Sequence, residues 1–379
     1  MTRPPFTKYR LQIEPLSPVH IGSGRTIEPY EYELREQNGT TFLLAFDLDR
    51  LLVDLSDTAR QEFNYIIERG DFPGVRAWLR EQADERRHLR FAILVQPKAA
   101  DELKRNLDNP ERLGEIELFA RHPDTGQPYI PGSSIKGAIR TALVNAAVNH
   151  ANERQLKEIA NDRRSRRSSA VFEAAALGHI DRGRGGNLRA DLYRDPLRQI
   201  AVSDANLPTD GCYIDQMKIV RPSGRSQATS RTDPSGIVMY RDVTWSMIEQ
   251  EPLSATAEFR LLEGLNNRRV MKDKALPTGW SIEGIARLCN EYYTPEIDRQ
   301  LQQFQQPQGQ DFRPQFKHIV DTLEPNQCII RVGRHSHWEC VTVSRKFAKP
   351  PRRGFGQSRT YVAGELPLGW VRLTFHPES

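Results

Sequence analysis

The sequence has little cysteine and no long apolar run, and each absence excludes a class of protein. Its four cysteines stand far apart along 379 residues, and none forms a CxxC pair. This distribution argues against a zinc ribbon or a disulfide framework and predicts a reducing, cytoplasmic location. No stretch approaches the ~18 consecutive apolar residues of a membrane helix. The first residues also lack the apolar run of a signal peptide.

A modest net charge conceals two strongly basic segments. The chain carries 54 basic and 49 acidic residues, for a formal charge of +5. Between positions 331 and 359, eight lysines and arginines stand against a single glutamate. Between 161 and 200, nine arginines accompany five acidic residues and no lysine. Arginine suits phosphate and stacks on bases, so both segments favour a nucleic-acid partner, although a solvated loop would explain either one alone.

Hydrophobic periodicity and turn residues predict a mixed α+β fold without a strict βα repeat. The dipeptide Asn38-Gly39 is typical of a tight hairpin turn between two of the strands. Strands are expected at 9–21, 30–34, 41–48, 88–95, 114–120, 199–205, 212–220, 236–245, 253–262, 328–332 and 369–375. Helices are expected at 48–67, 75–83, 135–149 and 281–304.

The helix predicted at 135–149 carries cations where a helix normally disfavours them. Lys136 and Arg140 are four residues apart and therefore project together near the positive end of the helix dipole. Two cations there indicate an anion between them, so we predict that they form a phosphate clamp free to reach a ligand. The opposite, apolar face is expected to lie on a sheet and consists of Ile135, Ile139 and Leu143.

The start of this helix, at 132–137, reads Gly-Ser-Ser-Ile-Lys-Gly. Free backbone N–H groups and the hydroxyls of Ser133 and Ser134 would make it a general phosphate site. Simple helix capping by either serine, with solvated cations, explains the same spacing. The lysine precedes the second glycine, unlike in a Walker A loop, so nucleotide hydrolysis is disfavoured.

The exit of the first strand, at 16–25, contains His20, Gly22, Ser23, Gly24 and Arg25. A Gly-x-Gly pair is weak support for a binding loop, and a lone histidine at a strand end is more often structural than catalytic. The pair His335-x-His337 has metal-compatible spacing but lacks a full ligand set, so we predict no metal.

Three motifs together resemble the RAMP superfamily of CRISPR-associated proteins and, within it, the capping subunits of the type III-A (Csm) effector complex. They are LSPVHIGSG at 16–24, YIPGSSIKGAIRTAL at 129–143 and LPLGWV at 366–371. Their order and the chain length fit that family. The glycine loop expected near the C-terminus is poorer in glycine here, and Gly354-Phe355-Gly356 could supply part of it.

The resemblance implies a ferredoxin-like (RRM-like) core with large insertions. Its first strand would be 9–21 and its first helix 133–149, followed by strands near 199–205 and 253–262, a helix near 281–304 and a strand at 328–333. Residues 26–125 would be an insertion. The core would occupy 1–265, and 266–379 would complete it or form a second, degenerate ferredoxin-like half.

The resemblance also implies a non-catalytic subunit that binds the 3′ side of the guide crRNA and contacts target RNA. It would sit beside the repeating backbone subunit and support assembly and crRNA maturation, with host nucleases as possible trimming partners and without a cofactor. Charge, position and resemblance together give these expected RNA contacts: His20, Gly22, Ser23, Gly24, Arg25, Ser133, Ser134, Lys136, Arg140, Arg221, Arg225, Arg231, Gly333, Arg334, Arg345, Lys346, Arg352 and Arg353. Three of the arginines belong to 221–235, a polar segment that fits a thumb-like arm or a disordered loop equally well.

The backbone subunit of the same complex cuts target RNA with an acidic residue after its first strand. The corresponding loop here offers Glu28 and Glu31 and no aspartate, so we predict no cleavage. Two alternatives remain open. The first is a Cas6-like endoribonuclease that uses His20 in general acid–base chemistry. The second is an RNA-binding RAMP subunit of the Cmr effector, which shares the helix-start motif.

Overall fold

The computed structural model describes residues 6–107, 114–161, 169–182, 188–220, 239–249, 253–262, 281–304, 311–333, 347, 358–363 and 365–378. The strands are β1 (Phe6–Pro15), β2 (Gly22–Ile27), β3 (Tyr32–Gln37), β4 (Thr40–Phe46), β5 (Leu89–Val95), β6 (Ile116–Phe119), β7 (Tyr129–Ile130), β8 (Ile180–Arg182), β9 (Leu188–Ala190), β10 (Ile200–Val202), β11 (Ala205–Asn206), β12 (Cys212–Val220), β13 (Met239–Thr244), β14 (Ala255–Leu262), β15 (Gln327–Arg331), β16 (Arg359–Val362), β17 (Leu366–Pro367) and β18 (Trp370–Pro377). The helices are α1 (Leu48–Asp54), α2 (Asp57–Glu68), α3 (Phe72–Gln82), α4 (Glu85–His88), α5 (Pro97–Leu107), α6 (Gly132–His150), α7 (Glu153–Asn161), α8 (Ser169–Ala176), α9 (Ile282–Gln303) and α10 (Arg313–Asp321).

A five-stranded antiparallel sheet forms the first half of the architecture. Its strand order is β10-β14-β1-β18-β15, with β1 hydrogen-bonded to β14 on one side and β18 on the other. Helix α6 connects β1 towards β10, and α9 connects β14 towards β15. The buried apolar residues of both helices share one core with Leu11 and Ile13 of β1. The predicted α+β, ferredoxin-like class of fold is confirmed.

The last of the expected core strands, at 328–333, does not lie next to β1 in this sheet. The strand expected at 328–333 forms as β15, but it pairs with β18 and lies at the edge of the sheet. The final strand β18 occupies the place beside β1. Register explains the exchange, because Leu373 and Phe375 of β18 lie opposite Ile13 and Leu11 and are buried with them.

A second, nine-stranded sheet draws on three separate parts of the chain. Its main path is β2-β6-β13-β12-β5-β4-β3, and β16 and β17 join it through β12. Strands β5 and β6, inside the expected insertion 26–125, pair in parallel with β12 and β13 respectively. The expected boundary at 265 falls among residues 263–280, outside the described part of the chain, and stays a prediction.

Local sequence accounts for one confirmed turn and one corrected helix. Asn38 and Gly39 adopt φ of 51° and 77° in the β3–β4 hairpin, as the dipeptide predicts. The single helix expected at 48–67 is two helices, α1 and α2, because Ser56 caps the second by accepting a hydrogen bond from the Ala59 N–H. Among the described helices, none is both long and apolar enough to cross a membrane.

Candidate functional site

A cleft of about 720 Å³ lies between the residues that follow β1, the first half of α6, the middle of α9 and the end of β15. Its volume is in the range of typical small-ligand pockets. Six of the residues predicted from the sequence line it, and they come from three distant segments of the chain: His20, Gly22, Gly24, Arg25, Ser134 and Gly333.

The C-terminal motif holds the exit of β1 in place beneath this cleft. The N–H of Leu16 donates to the carbonyl oxygen of Trp370 at 2.9 Å, and the Trp370 N–H donates to Ser17 Oγ at 3.1 Å. The N–H of Gly369 donates to the Pro18 carbonyl at 2.8 Å. The strand expected to reach residue 21 therefore ends at Pro15 and continues as a buried segment anchored to the last strand.

Gly333 closes the cleft from the other side by packing against His20. Its φ is +89°, a left-handed value that favours glycine, and a β-carbon there would overlap the carbonyl oxygen of His20. The predicted glycine at the end of β15 thus meets the predicted histidine after β1. Close backbone packing, rather than loop flexibility, requires glycine at this position.

His20 is almost wholly buried and is bonded to the second sheet. Its Nδ1 lies 2.8 Å from the carbonyl oxygen of Asp242 in β13, and its ring packs edge-on against Phe119. Burial lowers the pKa of the imidazole, so the ring is neutral at pH 7. Its Nε2 is buried beside Gly22 and Glu117, which line the cleft, and has no hydrogen-bond partner among the described residues.

The start of β2, which follows His20, gives the cleft its outer rim. Gly22, Gly24 and Arg25 line it. Ser23 holds the shape of this segment, because its Oγ accepts from the Arg25 N–H at 3.1 Å and lies 3.4 Å from the Leu118 carbonyl oxygen, and its contact with RNA stays a prediction. Arg25 keeps 39% of its side chain exposed while pairing with Glu31 at 3.3 Å.

Helix α6 presents a face of small residues to the cleft, and the sequence analysis missed most of it. Ser134, Gly137, Ala138 and Thr141 follow the i, i+3, i+4, i+7 spacing of one helix face. A β-carbon on Gly137 would meet nothing within 4 Å. The signal was present in the sequence, because small polar residues at this spacing break the otherwise apolar pattern.

The start of α6 contradicts one interpretation of its sequence and restricts the other. No side chain caps the helix, so capping by Ser133 or Ser134 is wrong. The Gly132 N–H is not free for a phosphate either, because it donates to Asp204 Oδ1 at 2.7 Å. Of the two serines, only Ser134 reaches the cleft.

Lys136 and Arg140 lie on a different side of α6 from the cleft, and both are occupied. Lys136 Nζ donates to the carbonyl oxygen of Ile200 at 2.7 Å, and burial lowers its pKa. Arg140 pairs with Glu173 at 2.7 Å and with Asp195 at 3.1 Å. The anion that two cations at a helix start require is thus supplied by the protein itself. The prediction that both cations are free to reach a ligand is wrong. RNA binding by these two residues stays a prediction.

Four further residues line the cleft and come from positions that sequence motifs did not mark. Arg331 lies at the end of β15 with its guanidinium carbon 5.3 Å from the centre of the Trp370 ring. Tyr293 of α9 donates its hydroxyl to the Ala138 carbonyl at 2.9 Å. Glu117 of β6 pairs with Arg241 at 3.0 Å. With Thr26, these residues come from elements whose contact with the cleft depends on the tertiary fold.

Eight of the predicted RNA contacts, and the possible metal-binding histidines at 335 and 337, lie outside the described residues. The eight are Arg221, Arg225, Arg231, Arg334, Arg345, Lys346, Arg352 and Arg353. Within the described ranges, no cluster of three histidine, cysteine, aspartate or glutamate side chains could hold a metal ion.

A comparison with protein families identifies the class defined by this fold and cleft. The model of the RAMP superfamily matches residues 12–306, so the chain belongs to that superfamily.

The curated relatives within it carry one name. The chain is 25% identical over 248 residues to "CRISPR system Cms protein Csm5" of Mycobacterium tuberculosis (strain H37Rv), covering 62% of each chain. It is also 25% identical over 280 residues to the Csm5 protein of Streptococcus thermophilus, covering 69% of each. The match therefore spans about three fifths of the Mycobacterium relative's length.

Solved structures show the same fold over nearly the whole chain. One is a chain of the cryo-EM structure of a Csm-crRNA-target RNA ternary complex in a type III-A CRISPR-Cas system, with a TM-score of 0.63, 18% identity, and coverage of 96% of this chain and 100% of that one. The crystal structure of T. onnurineus Csm5 matches with a TM-score of 0.63, 17% identity, and coverage of 95% and 99%. The expected resemblance to the RAMP superfamily and, within it, to a subunit of the Csm complex is confirmed.

Proposed function

We propose that this protein is the non-catalytic, RNA-binding capping subunit of a type III-A (Csm) effector. It binds the 3′ side of the guide crRNA, adjoins the repeating backbone subunit, and supports complex assembly and crRNA maturation. The observation that carries the proposal is the cleft, which is lined by residues of the segment 20–25 and by the small residues of α6. Relatives named Csm5, and the likeness to a chain in a Csm-crRNA-target RNA complex, support this assignment over a Cmr subunit.

The geometry of the cleft suits a nucleic-acid backbone. The small residues of α6 allow a bulky strand to approach the helix closely. Arg25 stands at the rim and Arg331 in the wall, and guanidinium groups favour phosphate. Contacts of this kind position RNA without reading its sequence, so binding should tolerate different bases.

Binding without cleavage fits the described side chains better than catalysis does. RNA cleavage by acid–base chemistry needs a base for the 2′-hydroxyl and an acid for the leaving oxygen. His20 Nε2 could supply the base. Among the described cleft residues, Tyr293 donates its proton to a backbone carbonyl and Glu117 is paired with Arg241, so neither serves as the acid. These contacts disfavour the Cas6-like alternative.

A bulky residue at Gly137 tests the proposed binding site. A β-carbon there meets no atom within 4 Å, so a phenylalanine side chain would start into open space on the face of α6 that lines the cleft. We expect Gly137→Phe to weaken binding of single-stranded RNA at least 10-fold, measured by fluorescence anisotropy with the whole chain. The matched control Gly137→Ala adds one methyl group and improves helix propensity by about 1 kcal/mol, so it should retain most of the affinity.

Two results would contradict the proposal. Equal RNA affinity of the phenylalanine variant and the wild type, with the fold intact by circular dichroism, would place RNA elsewhere on the molecule. Cutting of a repeat RNA by the purified wild type, lost in His20→Ala, would establish the endoribonuclease alternative instead.

A further inference from the structure

The hydrogen bond between His20 and Asp242 fixes which ring nitrogen carries the proton. Nδ1 lies 2.8 Å from a backbone carbonyl oxygen, which can only accept. Nδ1 must therefore be the donor. Because burial holds the ring neutral, its single proton is used there and Nε2 is left as an acceptor with a free lone pair.

This acceptor lies beside Gly22 and Glu117, two residues that line the binding cleft. Nε2 is buried and makes no hydrogen bond to any described residue. The nearest carboxylate oxygen, on Glu117, is 3.9 Å away and pairs with Arg241 at 3.0 Å. A β-carbon at Gly22 would lie 3.2 Å from Nε2, so glycine at this position avoids one more atom packed against the nitrogen.

The chemistry of a lone acceptor limits what it can recognise. Phosphate diester oxygens accept and do not donate, so Nε2 cannot bind them. Base amino groups donate but differ from one base to the next. The donor that every ribonucleotide carries, and every deoxyribonucleotide lacks, is the ribose 2′-hydroxyl.

We propose that His20 Nε2 accepts a hydrogen bond from a ribose 2′-hydroxyl in the cleft and makes the site select RNA over DNA. This inference rests on the proposed RNA-binding function and names the group by which that site recognises its ligand. A ligand without the hydroxyl leaves a buried acceptor unsatisfied, which is a larger penalty than the loss of one exposed hydrogen bond.

The test compares three single strands of one sequence on the full-length protein: RNA, DNA and 2′-fluoro RNA. The 2′-fluoro strand keeps the sugar pucker of RNA but has no hydroxyl donor, so it separates hydrogen bonding from strand shape. For the wild type we expect RNA to bind about 10-fold more tightly than 2′-fluoro RNA.

Two independent variants remove the acceptor. In His20→Asn, the amide nitrogen can replace Nδ1 as donor to Asp242 while no atom remains at the Nε2 position. In Gly22→Ala, a methyl group covers Nε2 and the histidine keeps its bond to Asp242. Each variant should reduce the preference for RNA over 2′-fluoro RNA to about 2-fold or less, because both strands then lack a partner at this point.

A second buried histidine provides the control. His179 is 3% exposed, and its Nδ1 lies 3.0 Å from the Asp191 carbonyl oxygen, but it does not line the cleft. His179→Asn should leave the preference unchanged.

The outcomes separate this inference from the function on which it rests. If the wild type binds RNA and 2′-fluoro RNA equally well, the inference fails and the proposed function stands. If the wild type binds none of the three strands, the proposed function fails. Full preference in both His20→Asn and Gly22→Ala would also overturn the role given to Nε2.

Discussion

Glycines at two positions of positive φ control how the cleft is built. Gly333 and Gly369 adopt φ of +89° and +93°, and a β-carbon on either would overlap a backbone carbonyl oxygen, of His20 and Val332 respectively. These contacts join the end of β15 to the exit of β1 and the start of β18. A substitution at Gly333 should therefore disturb the packing of all three of these segments together.

Alanine at position 333 tests this close packing. We expect Gly333→Ala to lower the free energy of unfolding by several kcal/mol, because it combines left-handed strain of about 1–2 kcal/mol with a backbone clash. Gly24→Ala is the matched control, since Gly24 has φ of +79° but nothing within 4 Å of its β-carbon. It should cost only the strain. Equal losses in urea unfolding of the two variants would contradict a packing role for Gly333.

At this scale, sequence motifs marked residues that the fold brings together. His20, Gly22, Gly24 and Gly333, all predicted RNA contacts, line one cleft, and their contact with RNA stays a prediction. The behaviour of Arg140 could not be predicted, because its partners Glu173 and Asp195 lie 33 and 55 residues further along the chain. No local pattern reports such a distant pairing.

Helix α6 presents three different faces to three different neighbours. Its apolar face enters the core of the first sheet, its small face lines the cleft, and its basic face meets carboxylates near α8. The sequence showed the first face by periodicity and suggested the third by charge. It did not show that the third face is turned towards the protein, because helix periodicity gives the angle between faces and not what covers each one.

The basic face predicts a stability effect that a free phosphate clamp would not have. Arg140→Met leaves Glu173 and Asp195 without their shared cation, and all three side chains are at least two-thirds buried. We expect a loss of about 1–2 kcal/mol in the free energy of unfolding, discounted for partial exposure. Arg154→Met removes the pair to Glu158 on α7, where Arg154 is 90% exposed, and should change little. An unchanged melting temperature for Arg140→Met would show that its carboxylate pairs contribute nothing.

The whole molecule places the cleft beside the junction of two sheets. The N–H of Thr244 in β13 donates to the Val19 carbonyl at 3.0 Å, and the Val19 N–H donates to Thr244 Oγ1 at 3.1 Å. His20, the next residue, bonds to Asp242 of the same strand. The second sheet thus fixes the position of His20, which follows a strand of the first sheet in the chain.

The sequence predicted six of the nine strands of this second sheet, but not β2, β16 and β17 and not the sheet itself. Its members come from residues 22–119, 212–244 and 359–367, and their pairing depends on contacts between distant segments. The α+β class followed from periodicity, and the superfamily and the order of the core elements followed from the resemblance that the motifs carry. The edge position of β15 did not follow, because it depends on the pairing of β18 with β1, and these strands lie at opposite ends of the described chain.

Crosslinking from defined positions of the guide tests directly whether this chain binds the 3′ side of the guide through the cleft. A Csm complex containing this chain would be assembled on guides that carry one 4-thiouridine, either on the 3′ side or on the 5′ side, and the crosslinked peptides would be identified by mass spectrometry. We expect the 3′-side probe to crosslink to peptides containing residues 20–26 or 134–141, and we expect no crosslink of the 5′-side probe to this chain. Crosslinks to this chain from the 5′ side alone, or 3′-side crosslinks confined to the distant helices α2 and α3, would contradict this expectation.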